Sequence, residues 1–207
     1  MEDDPLSLEY VALIGVLFEA FLVVLAILLG WFFGHPPAQT FSFGWGDLAW
    51  GLLATIPPLG LFWLCLKCPW GPFARLTSLV DERLLPLFSH CGVLEIAAIS
   101  LVAGIGEEML FRGLLQGGLA EAIGTPAGTW IALVLASLVF GLVHPLSGTY
   151  VLLTGLIGLY LGWSWIVSGN LLVPITAHAA YDFLALLYLL GIRPEGGVDG
   201  GRSGYSD

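Results

Sequence analysis

LFSHCGVLEIAAISLVAGIGEEMLFRGLLQGGLAEAI, residues 87 to 123, is the stretch on which the reading of this chain turns. It is apolar almost throughout, yet it carries Glu95, Glu107, Glu108, Arg112 and Glu121. About 20 residues span the hydrocarbon core of a bilayer, so a run of 37 is too long for one upright crossing. Either it tilts strongly, or its first part lies at the interface and the remainder crosses. In both cases the charges sit where charge is costly, which marks a site by default.

Composition settles that the surroundings are lipid. The 207 residues are 57% hydrophobic and 11% charged, with a mean hydropathy of +0.92. Soluble domains carry about 25% charged residues, so no water-facing surface can be made from this supply. Working outward, further apolar stretches run over 8–33, 48–66, 127–143, 150–167 and 171–190. The expected fold is therefore all-α: a polytopic membrane helix bundle of about six transmembrane helices with the active site inside the bundle. One domain is expected over 1–190, with its motif-bearing core at 87–190. The Gly-rich tail 191–207 lacks apolar periodicity and is expected to be disordered. Pro57-Pro58 should kink or break the second span, and 67–86 is the most polar internal stretch.

Charge narrows the function classes. A formal net charge of -10 argues against a nucleic-acid partner. The first apolar run has no Lys or Arg before it, so the basic n-region of a signal peptide is missing. With six spans, Lys67, Arg75, Arg83, Arg193 and Arg202 all fall on the side of the termini. The positive-inside rule then places both termini in the cytoplasm, in what is expected to be a prokaryotic plasma membrane. Cys65-Leu-Lys-Cys68 with His90-Cys91 offers a nominal four-ligand zinc set, but adjacent residues rarely serve one tetrahedral ion. These read better as apolar side chains at a helix end and in a loop.

Nine ionisable residues fall within or beside the spans: Glu9, Glu19, Glu95, Glu107, Glu108, Arg112, His144, His178 and Asp182. The last six form three groups. In Glu107-Glu108-Met-Leu-Phe-Arg112, Glu108 and Arg112 are four apart and share a face, where the guanidinium neutralises that carboxylate. Glu107 is rotated about 100° away and is free for chemistry. Phe140-Gly-Leu-Val-His144 lays an aromatic ring one turn before an imidazole, and His178-Ala-Ala-Tyr-Asp182 pairs an imidazole with a carboxylate. The inventory suits activating a water and stabilising an oxyanion in a dry pocket. Convergence of Glu107, His144 and His178 at one depth favours 87 to about 100 preceding the crossing, with 102–123 spanning. The Gly113–Gly117 and Gly158–Gly162 spacings read as close helix packing.

EExxxR, then FxxxH, then HxxxN/D on successive apolar helices resembles the CPBP, or Abi, family of intramembrane proteases. That family includes type 2 CAAX prenyl proteases and bacteriocin self-immunity proteins. The resemblance implies an endopeptidase acting on membrane-associated or lipidated peptides. It implies that Glu107 and His144 activate the hydrolytic water, that Glu108, Arg112 and Phe140 brace the site, and that His178 and residue 182 stabilise the oxyanion. Asp182 stands where the CAAX proteases have Asn. An ionised Asp cannot donate a hydrogen bond, so it is protonated, orients His178 or binds a metal. The chain lacks the extra spans of the eukaryotic enzymes, and prenylated substrates do not carry over from the resemblance.

Two cofactor arrangements stay open. In one, no metal is present and Glu107 is the base. In the other, Glu107, His144 and His178 hold zinc while Asp182 orients His178. The missing pair of ligands on one helical turn, and the loss of a separate base, favour the metal-free arrangement. Two other functions compete: a non-catalytic binding protein of the same fold, serving immunity or regulation, and a proton-coupled transporter. The latter usually shows repeated halves, which this sequence lacks.

Overall fold

The computed structural model describes residues 10–68 and 70–191, and every regular element among them is helical. In chain order these are α1 (Val11–Phe33), α2 (Trp45–Ala54), α3 (Ile56–Lys67), α4 (Gly71–Leu79), α5 (Leu85–Phe88), α6 (Val93–Glu108), α7 (Gly117–Ile123), α8 (Pro126–Leu142), α9 (Gly148–Ser168) and α10 (Leu172–Gly191). A π-helical turn, Val80–Leu84, joins α4 to α5, and a longer π-helical stretch, Met109–Gln116, joins α6 to α7. The tail expected to be disordered lies outside the described residues except Gly191, the last residue of α10.

Among the described residues, four helices are long and apolar enough to cross a membrane: Val11–Phe33, Trp45–Lys67, Gly148–Ser168 and Leu172–Gly191. Gly71–Phe88 with Val93–Ile123 makes a fifth if that pair, bent by 110°, is counted as one span. The expected count of about six is met only if Val93–Ile123 and the 17-residue Pro126–Leu142 each cross. The first is disqualified on composition by its buried charges. The second, at about 1.5 Å per residue, is slightly short of the roughly 30 Å core. The lipid-type surface of the bundle is nonetheless plain: Leu17, Phe18 and Phe21 on α1, Leu138 and Leu142 on α8, and Leu152 on α9 are all exposed.

One boundary differs from the sequence reading, while the break expected at Pro57-Pro58 is present. The break before the crossing helix falls at 89–92 rather than near Ser100, because the Glu95 carboxylate accepts the Gly92 backbone N–H at 2.7 Å and so starts a helix at Val93. Glu107 thereby lies about halfway along the continuous helical run 93–123. Pro57-Pro58 breaks the hydrogen-bond ladder without ending the span. Pro58 has no N–H for the Ala54 carbonyl, and the Tyr160 hydroxyl donates to that carbonyl instead, at 3.0 Å.

The π-bearing helix is the axis of the bundle. α6 packs between α1 and α10, α10 also lies on α2, and α8 packs on α9 and on the π-helical stretch. At one end of the bundle three connections meet. His35 holds Glu121 at 2.6 Å and the Gly113 carbonyl at 3.1 Å, the Trp165 indole donates to Thr40 at 2.9 Å, and the Asn170 amide donates to Ser42 and Asp47. Exposed Trp31, Phe32, Phe33, Phe43 and Trp45 ring this end, as aromatic side chains do at a membrane–water interface.

Candidate active site

The three motif groups converge. Glu107, Phe140, His144, His178 and Asp182 line one cavity of about 480 Å³, whose remaining wall is mostly apolar and drawn from α1, α3 to α6, α9 and α10. Leu61, Phe62, Leu66, Leu76, Val80 and Leu84 are among its apolar lining. Burial of charge among such residues is tolerable only when each charge is answered.

Glu108 and Arg112 answer each other. Arg112 Nη1 lies 3.0 Å from Glu108 Oε1, with both side chains essentially inaccessible. Its Nη2 donates to the Gly158 carbonyl at 3.0 Å, and its guanidinium carbon stands 4.5 Å over the Phe140 ring. One turn along the π-helical stretch, Gln116 donates to the Gly162 carbonyl at 3.3 Å. The Gly158–Gly162 spacing, read as simple packing, is thus the dock for two polar side chains. A Cβ on Gly162 would collide with Gln116 and Leu133. π-helical turns concentrate at functional sites, and this one aims Arg112 and Gln116 at the same neighbour.

Glu108 also serves α10. His178 Nδ1–H donates to Glu108 Oε1 at 2.7 Å, so a single carboxylate oxygen accepts from His178 and is ion-paired with Arg112. His178 Nε2 then faces the cavity, 3.4 Å from Asp182 Oδ2. Asp182 is about one-third exposed to that cavity, whereas His178 is buried. His144 is fixed differently. Its Nδ1–H donates to the Phe140 carbonyl at 2.7 Å, which leaves Nε2 as a lone-pair acceptor. That nitrogen lies 3.9 Å from Glu107 Oε2, a buried oxygen with no hydrogen-bond partner among the described residues. Phe140 packs against Phe111, His144 and His178, with ring centroids 5.0, 4.9 and 6.0 Å away.

A zinc ion does not fit this arrangement. His178 points one nitrogen at Glu108 and the other at Asp182, and no three His, Cys, Asp or Glu side chains among the described residues close around a common point. The same holds for Cys65, Cys68 and Cys91, which are free and half-buried.

The sequence reading overlooked several groups that the fold brings to the cavity. Glu19, from α1, lines it, as do Ser100, Tyr150 and Thr154. Glu19 had a signal, being an acid inside an apolar span, but no motif tied it to the other three groups. The helix crossing does so: a Cβ on Gly106 would meet the Glu19 carbonyl at 2.7 Å, so α1 and α6 touch backbone to backbone beside Glu107.

Comparison with known proteins finds similarity over the same part of the chain. Residues 89–184 match the sequence model of the family described as type II CAAX prenyl endopeptidase Rce1-like. Over 103 residues the chain is 36% identical to the uncharacterised protein YpbD of Bacillus subtilis. That match covers 46% of this chain and 46% of the relative, so the shared region is about half of either protein. No solved structure matches. All three motif groups lie inside the matched residues, so the part of this chain that carries them is similar to the type II CAAX prenyl endopeptidase Rce1-like family.

Proposed function

We propose that this protein is an intramembrane endopeptidase whose nucleophile is a water held by Glu107 and His144. The observation that carries the reading is the pair of facing acceptors, Glu107 Oε2 and His144 Nε2, 3.9 Å apart at the cavity wall. Two acceptors cannot bond to each other, but a water donates one hydrogen to each. At hydrogen-bond distances of about 2.8 Å it would subtend about 90°, close to its own bond angle. As that water attacks the scissile carbonyl, a proton passes to Glu107 and the C–O bond forms. The oxyanion is met by the His178 Nε2–H, the ring being oriented by Glu108 and steadied by the Asp182 carboxylate. Glu107 then returns its proton to the departing amine as the C–N bond breaks. Asp182 in this reading acts on His178 and makes no direct donation to the oxyanion.

The apolar cavity wall suits a peptide that is membrane-embedded or lipidated near the scissile bond. Residues 1–190 act as one unit in the bilayer, with both termini cytoplasmic. The test is cleavage profiling of a membrane-peptide library with wild type and Glu107→Ala side by side in vesicles. Wild type is expected to cut a defined subset and Glu107→Ala none. Cleavage by neither protein, with a binding or immunity phenotype that survives Glu107→Ala, would establish the non-catalytic reading instead.

A further inference from the structure

Glu19 and Ser100 are left over after the proposed chemistry is assigned. Both line the cavity beside Glu107. Ser100 is 1% exposed, and its Oγ is buried without a hydrogen-bond partner among the described residues. Thr55, Ser137, Thr154 and Ser164 return their hydroxyls to carbonyls of their own helices, which is the usual fate of a helical hydroxyl. Ser100 does not. Glu19 Oε2 is likewise buried and unpartnered, and no described residue pairs with that carboxylate by hydrogen bond or ion pair. Ser100, Ala103 and Glu107 follow one face of α6, all on the cavity wall, and Glu19 approaches that face across the α1–α6 crossing at Gly106. Polar atoms are not left unmade in a low-dielectric interior without cost, and α1 lies outside the residues that match the family.

A peptide bond can be cut in a membrane only from an extended backbone, and such a backbone carries N–H and C=O groups that lipid cannot satisfy. A carboxylate is an acceptor alone, and a serine hydroxyl both donates and accepts. We propose that Glu19 and Ser100 form a substrate-binding subsite that takes up the unpaired backbone amides of an extended peptide next to the scissile bond, with Glu19 accepting an N–H and Ser100 pairing with the adjoining peptide group. The subsite rests on the proteolytic reading above.

The test uses the peptide that wild type cleaves fastest in the profiling library, and ester analogues in which each flanking N–H is replaced in turn by oxygen. With the amide peptide, Glu19→Leu is expected to raise KM about ten- to hundredfold with kcat nearly unchanged, the mark of lost uniform binding. Glu19→Gln, which keeps an acceptor oxygen, and Ser100→Ala should fall between. One ester analogue should be as poor for wild type as the amide is for Glu19→Leu, and Glu19→Leu should not distinguish ester from amide. Because Glu19 has no partner to lose, Glu19→Leu should leave the melting temperature unchanged or raised. Wild-type KM in Glu19→Leu, independent ester and mutant effects, or a lowered melting temperature in both Glu19 variants would overturn the subsite alone. If wild type cleaves no peptide, the proteolytic reading falls and the subsite with it.

Discussion

At the scale of single residues, the two histidines differ in which nitrogen the protein holds. His144 gives up its Nδ1–H to the Phe140 carbonyl and presents a lone pair to Glu107, whereas His178 spends its Nδ1–H on Glu108 and presents Nε2 to the cavity. An acceptor on one side and a donor on the other is what a water-activating, oxyanion-binding site needs. Glu107→Gln and His144→Ala should each lower kcat by about 10²–10⁴-fold, with melting temperature preserved. Activity within about threefold of wild type in either variant, measured on the profiled peptide, would remove the pair from the chemistry. Arg112 makes a different prediction. Arg112→Ala strands Glu108, and breaking a buried pair costs about 3–5 kcal/mol, so a clear drop in melting temperature should accompany lost activity. Glu108→Gln with Arg112→Met should recover much of the stability. It should not recover activity, because Glu108 also positions His178. An unchanged melting temperature in Arg112→Ala would show that the pair does not brace the site.

At the scale of the helical element, irregularities sit where polar groups must be turned. The π-helical stretch Met109–Gln116 follows directly on Glu107-Glu108 and directs Arg112 and Gln116 to the carbonyls of Gly158 and Gly162. Only glycines leave these carbonyls approachable, since a side chain there would occupy the space of Phe140 or Gln116. The α2–α3 span handles its defect by borrowing. Pro58 orphans the Ala54 carbonyl, and Tyr160 on α9 supplies the missing donor. Tyr160→Phe should therefore cost about 0.5–2 kcal/mol, the span of values for hydrogen bonds between membrane helices. Pro58→Ala restores the helical N–H and should make the same Tyr160→Phe change nearly neutral. A double-mutant cycle in thermal unfolding reads this directly, and a coupling near zero would mean that Tyr160 is not compensating for the proline.

At the scale of the whole molecule, the end of the bundle away from α4 is tied together by one amide. Asn170 Nδ2 donates to the Ser42 carbonyl, Ser42 Oγ and Asp47 Oδ2, while its Oδ1 accepts from the backbone N–H groups of Ser42 and Leu172. It joins the α1–α2 connection to the α9–α10 turn, some 128 residues along the chain. Asn170→Leu leaves the buried Leu172 N–H unmet, at about 1–3 kcal/mol, and removes the part-buried bonds to Ser42 and Asp47. Amide hydrogen exchange over 38–47 should rise and the melting temperature should fall, while KM for the profiled peptide stays put because the cavity lies elsewhere. Unchanged exchange over 38–47 would show that other contacts hold this connection.

What was legible in the sequence was what short-range rules govern. The apolar runs dictated helices, and the four-residue spacings of Glu108 with Arg112, and of His178 with Asp182, survive as contacts because one helical turn brings such pairs together whatever the fold. The start of the crossing helix depended on a cap that hydrophobicity does not register, so the break moved from near Ser100 to 89–92. Nothing local could show that Glu108 would receive His178 from 70 residues away, that His144 would offer Nε2 to Glu107, or that Glu19 would face the same cavity. Those meetings depend on which helices cross and where a glycine lets them touch, and only the packed tertiary structure decides that.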